Sequence, residues 1–404
     1  MTATHPTQSR RAPTGAVTAW VAAVMAAIGL IGPSWGPALV PARAAFHLNL
    51  LTAGTLFLAF GAARTVGAML SALLSDVVGR PTLVAVYGAA LVLGLSTVAV
   101  APGWPAILVG AAVIGFAFGA VSTEANAVAA LAGGAQRARN LSLVNAVYSI
   151  GAAVGPLVVG GLLQAHLGWR LAFGLWATLC VVPFAGLARS VVGLGPAAGA
   201  RSAGPGLRLT AGLLFLPAMA FIYNGIGWTV GGWAATYLVG RFGATLLAGT
   251  LGSTFFYALL TAGRLVNRRF ASHASAATLL RIGAVGSAIS LLGLALAPTA
   301  VWSLVAFGAA GFCLAGIYPN LVAHAAGLQP DRPGAMAGLV ATGGAIGVTV
   351  VPFLAGALGH LAGLAAMTWM LLGLGIALVA LAEAGARRRP GHGTVGPAAP
   401  GQAS

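Results

Sequence analysis

The sequence predicts an all-α membrane protein: twelve transmembrane helices, arranged as two parallel six-helix repeats around a central cavity. Three observations predict it. The 404 residues are 59% apolar and only 6% charged, where a water-soluble domain carries about 25% charged residues. The apolar residues gather into runs of the length, about 20 residues, that a helix needs to cross a bilayer. A set of positions recurs at a constant offset of 196 residues, so the second half repeats the first.

The elements follow in order from the breaks between runs. Residues 1–15 are polar, carry Arg10 and Arg11, and read as a cytoplasmic tail. Six runs make a first bundle, residues 16–188: Ala16–Val40, Leu50–Leu74, Thr82–Ala101, Pro105–Ala132, Leu141–His166 and Leu171–Ala188. They are divided at arginines, at Pro102-Gly103 and near histidines, where a helix stops or a chain leaves the lipid. Residues 189–208, rich in Gly, Ala, Pro and Arg, form a cytoplasmic linker. The second bundle, residues 209–386, holds Leu209–Val239, Ala244–Val266, Ala277–Ala297, Val301–Ala326, Gly334–His360 and Leu364–Ala386. The Pro/Gly-rich tail 387–404 reads as disordered.

Net charge is +16, and every cation other than histidine is an arginine. Most arginines sit singly in the short breaks, which is the positive-inside pattern and not a basic groove for nucleic acid. Arg43, Arg170 and Arg241 fall in one set of breaks, and Arg80, Arg137, Arg139, Arg268, Arg269, Arg281 and Arg332 in the other, with the tails and linker. This bias puts both termini in the cytoplasm of a multi-pass protein of a bacterial inner membrane. Cys180 and Cys313 lie inside apolar runs as small packing residues, so neither a disulfide framework nor a metal centre is expected.

At the 196-residue offset Gly67 meets Gly263, Gly115-Phe116 meets Gly311-Phe312, Ile150-Gly151 meets Ile346-Gly347, Pro156 meets Pro352, and Gly160 meets Gly356. An even number of helices per half keeps the halves in the same orientation, the arrangement of carriers that bind solute at the midplane and rock about it.

The break after the second run reads Ala72-Leu-Leu-Ser-Asp76-Val-Val-Gly79-Arg80-Pro-Thr-Leu-Val84. It resembles the loop signature of the major facilitator superfamily, matching at Asp76, Gly79 and Arg80. The resemblance implies a gating loop in which a carboxylate at a helix end latches to a cation or a helix N-terminus. Ser272 stands at the equivalent of Asp76 in the second half. "GGWAATYL" at Gly231–Leu238, "GIYPN" at Gly316–Asn320 and "GAAVGP" at Gly151–Pro156 are loosely similar to the fucose-permease-like sugar/proton symporters. Pro37, Ser122 and Gly227 stand where that group often carries acids.

Charge within a span is expensive, about 2.5–3.5 kcal/mol at a helix centre on insertion scales, and marks function by default. Arg64 and Glu124 both lie deep in the first bundle. Either they pair, or Arg64 holds an anionic group while Glu124 carries a proton. Asn126, Asn145, Asn224, Tyr318, Asn320 and His324 supply hydrogen-bonding groups, and Tyr148, Trp228 and Tyr257 supply stacking surfaces, for a small-molecule substrate. Tyr223 and Trp233 are further stacking candidates, and Arg264 is either a second cavity cation or snorkels into the cytoplasmic loop. The chain has no lysine, hence no G-x-x-x-x-G-K-[ST] loop, and no nucleophile constellation. An enzyme is therefore not expected, and no cofactor. The expected function is secondary active transport of a small solute by alternating access, with protons as the candidate coupling ion, lipid as solvent and a monomer as the working unit. A proton-driven drug or metabolite exporter is the alternative, and a non-transporting membrane sensor a remote one.

Overall fold

In hydrocarbon every backbone N–H and C=O must find its partner within the chain, which leaves the apolar runs no option but helix. The computed structural model describes residues 14–75, 77–133, 137–192, 213–270, 273–329 and 331–386. Among them the first half holds α1 (Thr14–Ala45), α2 (Leu50–Leu74), α3 (Arg80–Val100), α4 (Trp104–Gly133), α5 (Arg137–Gln164) and α6 (Trp169–Ser190). The second holds α7 (Phe215–Phe242), α8 (Leu246–Phe270), α9 (Ala276–Ala295), α10 (Ala300–Leu314), α11 (Ile317–Leu328), α12 (Pro333–Ala362) and α13 (Leu364–Ala386). The expected tails, most of the linker, Asp76 and Ser272 lie outside the described residues.

Three elements differ from the sequence reading. Helix α1 does not stop at Val40 but runs through Pro33, Pro37 and Pro41 to Ala45; packed neighbours can satisfy the carbonyls that each proline frees. The tenth span runs as one membrane-length stretch, Ala300–Leu328, with an irregular turn at Ala315-Gly316 that divides α10 from α11. There Asn320 donates to the Asn267 side chain of α8 at 2.9 Å, and a Cβ on Gly316 would lie 2.5 Å from that Asn267 oxygen. Pro319 sits in the first turn of α11, where its missing N–H has no intrahelical bond to lose. Among the described residues, eleven spans are long and apolar enough to cross a membrane by length and composition alone. α7 is not among them because its glycines, aromatics and Asn224 lower its hydropathy; most of its length is buried against α12, α8, α1 and α13 instead of facing lipid.

The repeat in sequence is a repeat in packing. α2 crosses α4 as α8 crosses α10, α1 pairs with α5 as α7 pairs with α12, and α3 pairs with α6 as α9 pairs with α13. The matched glycines make the matched contacts. Gly67 and Gly115 bring α2 and α4 together at Phe116 and Phe60; Gly263 and Gly311 bring α8 and α10 together at Phe312 and Phe256. Each touches its partner's backbone, an approach that only the absence of a Cβ permits.

The halves meet mainly at one face of the membrane region. Successive spans alternate in direction, so α1, α5, α7 and α12 end where α2, α4 and α8 begin. At this far face Gly36 of α1 meets Gly231 of α7, Gly356 of α12 meets Leu50 and Gly54 of α2, and Gly160 of α5 meets Thr250 of α8. Trp233, Ala355 and Met367 of the second half join the core of the first there. The opposite, near face, where α2 gives way to α3, leaves Asn145 of α5 and Ala341 of α12 exposed.

Candidate functional site

Between the halves lies a cavity of about 370 Å³. Its lining obeys the duplication: Arg64 and Leu260, Ala68 and Arg264, Ser122 and Tyr318, and Tyr148 and Gly344 are pairs related by the 196-residue offset, and all face the same space. In each pair a polar or aromatic group stands opposite a small or apolar one.

Arg64 is the central feature. Its guanidinium lies 5.4 Å from the ring centroids of both Phe118 and Trp228. Its Nε is buried without a hydrogen-bond partner. The two rings form a cluster with Phe60, which is 5.1 Å from Trp228 and 5.6 Å from Phe118. The quadrupoles of the two faces offset part of the arginine's desolvation, but among the described residues no carboxylate neutralises it.

The second cation, Arg264, comes from the other half and one turn nearer the open face. It donates to Ser149 Oγ across the halves and to Tyr223 Oη at 3.5 Å. Asn145 donates to the Asn126 side chain at 3.2 Å and to Leu141 O at 2.8 Å, tying α5 to α4. Asn126 donates to Ser122 O at 2.7 Å, and Asn224 to Ala220 O at 3.1 Å. Tyr257 donates to Gly227 O at 3.4 Å, and the Tyr223 and Tyr318 rings stack with centroids 5.8 Å apart.

Of the residues singled out from sequence, Arg64, Asn126, Asn145, Tyr148, Asn224, Trp228, Tyr257 and Tyr318 line the cavity together. Glu124, Asn320 and His324 do not. Glu124 is buried and pairs with Arg80, the first residue of α3, not with Arg64. Asn320 is spent on Asn267. His324 packs against Phe215, centroids 6.0 Å apart, at the start of α7. The helical period explains the first two. Glu124 lies two residues from both Ser122 and Asn126, and Asn320 two from Tyr318. Two residues turn a helix by about 200°, which puts these side chains on the opposite face. Glu124 and Asn320 are themselves related by the offset of 196: both halves use this position to bind a neighbouring helix.

Asp76 of the expected gating loop lies outside the described residues. Gly79 caps α3, and Arg80 is only 3% exposed. Phe118 and Ser149 were missed by sequence reasoning; each falls four residues from a polar lining residue (Ser122 and Asn145), a spacing that could have found them.

A cavity between two like-oriented bundles of membrane-spanning helices defines the class: a multi-pass membrane transporter and not an enzyme. A model of the Major Facilitator Superfamily matches residues 16–307, and the chain belongs to that superfamily. The fold agrees. The crystal structure of a variant of the nucleoside transporter NupG superposes with TM-score 0.75 at 12% identity, over 91% of this chain and 99% of that one. The crystal structure of a D-xylose-proton symporter superposes with TM-score 0.75 at 14% identity, over 91% of this chain and 97% of that one. No curated protein sequence matches the chain. The similarity thus holds for the superfamily, and the finer likeness to fucose-permease-like symporters is a loose one.

Proposed function

We propose that this protein is a secondary active carrier that binds a small solute in the cavity between its halves and releases it by alternating access. The observation that carries the reading is the pseudo-symmetric cavity, closed at the far face by paired glycine contacts and open at the near one. Of the described arginines, Arg80, Arg139, Arg268, Arg269, Arg281 and Arg332 lie in or beside near-face breaks, against Arg43, Arg170 and Arg241 at the far face, so the positive-inside rule supports a cytoplasmic near face and an inward-open conformation. Rocking about the cavity would separate Gly36 from Gly231 and Gly160 from Thr250, while bringing Asn145 and Ala341 together. The two bundles, 16–188 and 209–386, are the units that rock.

Protons are the proposed coupling ion, supported by the neighbour named as a D-xylose-proton symporter. Glu124 is the candidate carrier. Because it is bound to Arg80 and lies off the cavity, protonation would act by releasing Arg80 from α4, not by touching the solute. Uptake into proteoliposomes of sugars, nucleosides and organic acids, with and without an imposed pH gradient, tests both parts. At least one solute is expected to accumulate with the gradient and only equilibrate without it. Accumulation that persists in Glu124→Gln refutes coupling through that residue; absence of any solute flux refutes the carrier reading.

A further inference from the structure

The cavity is unusual in its charge. It holds two guanidinium groups, Arg64 from α2 and Arg264 from α8, and among the described residues no carboxylate lines it. Both cations line the same cavity as Tyr148 and Tyr257, so they address one space. The whole chain has four acids. Glu124 is committed to Arg80 and Glu383 to Arg281; Asp331 lies in the break before α12, and Asp76 falls in the loop after the second run. Two cations lining one cavity repel, and an arginine cannot relieve this by losing its proton. An arrangement so costly persists in a membrane protein where a ligand supplies the missing charge.

The two arginines are not equally engaged. Arg264 already donates to Ser149 and Tyr223. Arg64 is held only by ring faces, which leaves the planar fork of donors available to an acceptor. Around that fork stand Phe118, Tyr148, Trp228, Tyr257 and Tyr318. They offer an apolar, partly aromatic wall to the body of the ligand. The volume of about 370 Å³ lies at the low end for small-molecule sites.

We infer that the solute is a small organic anion whose acidic group is bound by Arg64, with Arg264 turning from Ser149 and Tyr223 to meet it, and whose body packs on the aromatic wall. The inference rests on the carrier reading above and gives its substrate class. The ligand's charge then has a mechanical role. By joining an arginine of each half it replaces repulsion across the cavity with attraction, so the loaded carrier closes its cytoplasmic side more readily than the empty one.

The test uses matched acid and neutral probes on the purified full chain in a neutral detergent: benzoate against benzamide, and gluconate against glucose. The measurement is the ligand-dependent rise in the thermal unfolding midpoint. At least one acid is expected to stabilise the protein while its neutral partner does not. Arg64→Gln is expected to weaken that acid's apparent affinity about tenfold or more, the range for losing a hydrogen bond to a charged group. Arg64→Lys, which keeps the charge but not the fork, is expected to fall between, and it stands in if the Gln variant does not fold. Neutral partners that stabilise as strongly as the acids, an acid response untouched in both Arg64 variants, or no response to either acid would each overturn the inference. Flux of a neutral solute in proteoliposomes under those outcomes leaves the carrier reading standing; loss of all flux removes that reading separately.

Discussion

Replacing Arg80 by Gln exposes how the loop signature is built into the first bundle. In the native chain Arg80 and Glu124 bind each other with side chains only 2% and 3% exposed. Glu124 then keeps a buried carboxylate without the cation that offsets its desolvation. Breaking a buried pair from one side costs about 3–5 kcal/mol, because the partner's charge remains in a poor solvent. At roughly 2–4 °C per kcal/mol for units of this size, the unfolding midpoint should fall by on the order of 10 °C. The double variant Arg80→Gln with Glu124→Gln removes the orphaned charge and should recover much of the loss, with a coupling energy on the order of 2 kcal/mol. Arg281→Gln is the internal control. Its pair with Glu383, 2.7 Å apart, is 42% and 44% exposed, so it should cost about 0–1 kcal/mol. The assay is thermal unfolding in detergent followed by tryptophan fluorescence. A melting point for Arg80→Gln as close to the parent as that of Arg281→Gln, or strictly additive single variants, would refute the argument.

Two further predictions come from the glycine contacts. A Cβ at Gly36 would strike the Gly231 carbonyl, so Gly36→Val should prise α1 from α7; spin labels at positions 43 and 241 should move apart in pulsed dipolar spectra, and an unchanged distance distribution would contradict the proposed far-face seal. A Cβ at Gly67 would strike the Phe116 carbonyl, whereas one at Gly161 meets nothing within 4 Å. Gly67→Leu should therefore destabilise by about 1–3 kcal/mol, and Gly161→Leu should leave the unfolding midpoint near that of the parent.

Much of this molecule is legible without coordinates because the bilayer is a severe solvent. It admits few backbones other than helix, so span number, order and most boundaries follow from where apolar runs stop. The duplication is also legible, and with it the pairing of Gly67 with Gly263 and of Gly115 with Gly311, because close helix crossings tolerate no side chain. Arg64 could be nominated for the same reason: a cation in hydrocarbon is too costly to be incidental.

Which charge meets which was decided only by the tertiary structure. From sequence, Glu124 is one candidate partner of Arg64, since both lie deep in one bundle. Folding turns Glu124 about 200° from the cavity face of α4 and onto Arg80, so Arg64 faces the cavity with aromatic rings in place of a counterion. Asn320 is likewise taken up by Asn267, fifty-three positions away in the chain. Hydropathy reports whether a residue enters the lipid. It carries no information on the side of the helix that residue occupies or on what another helix brings against it, and those two facts make the site.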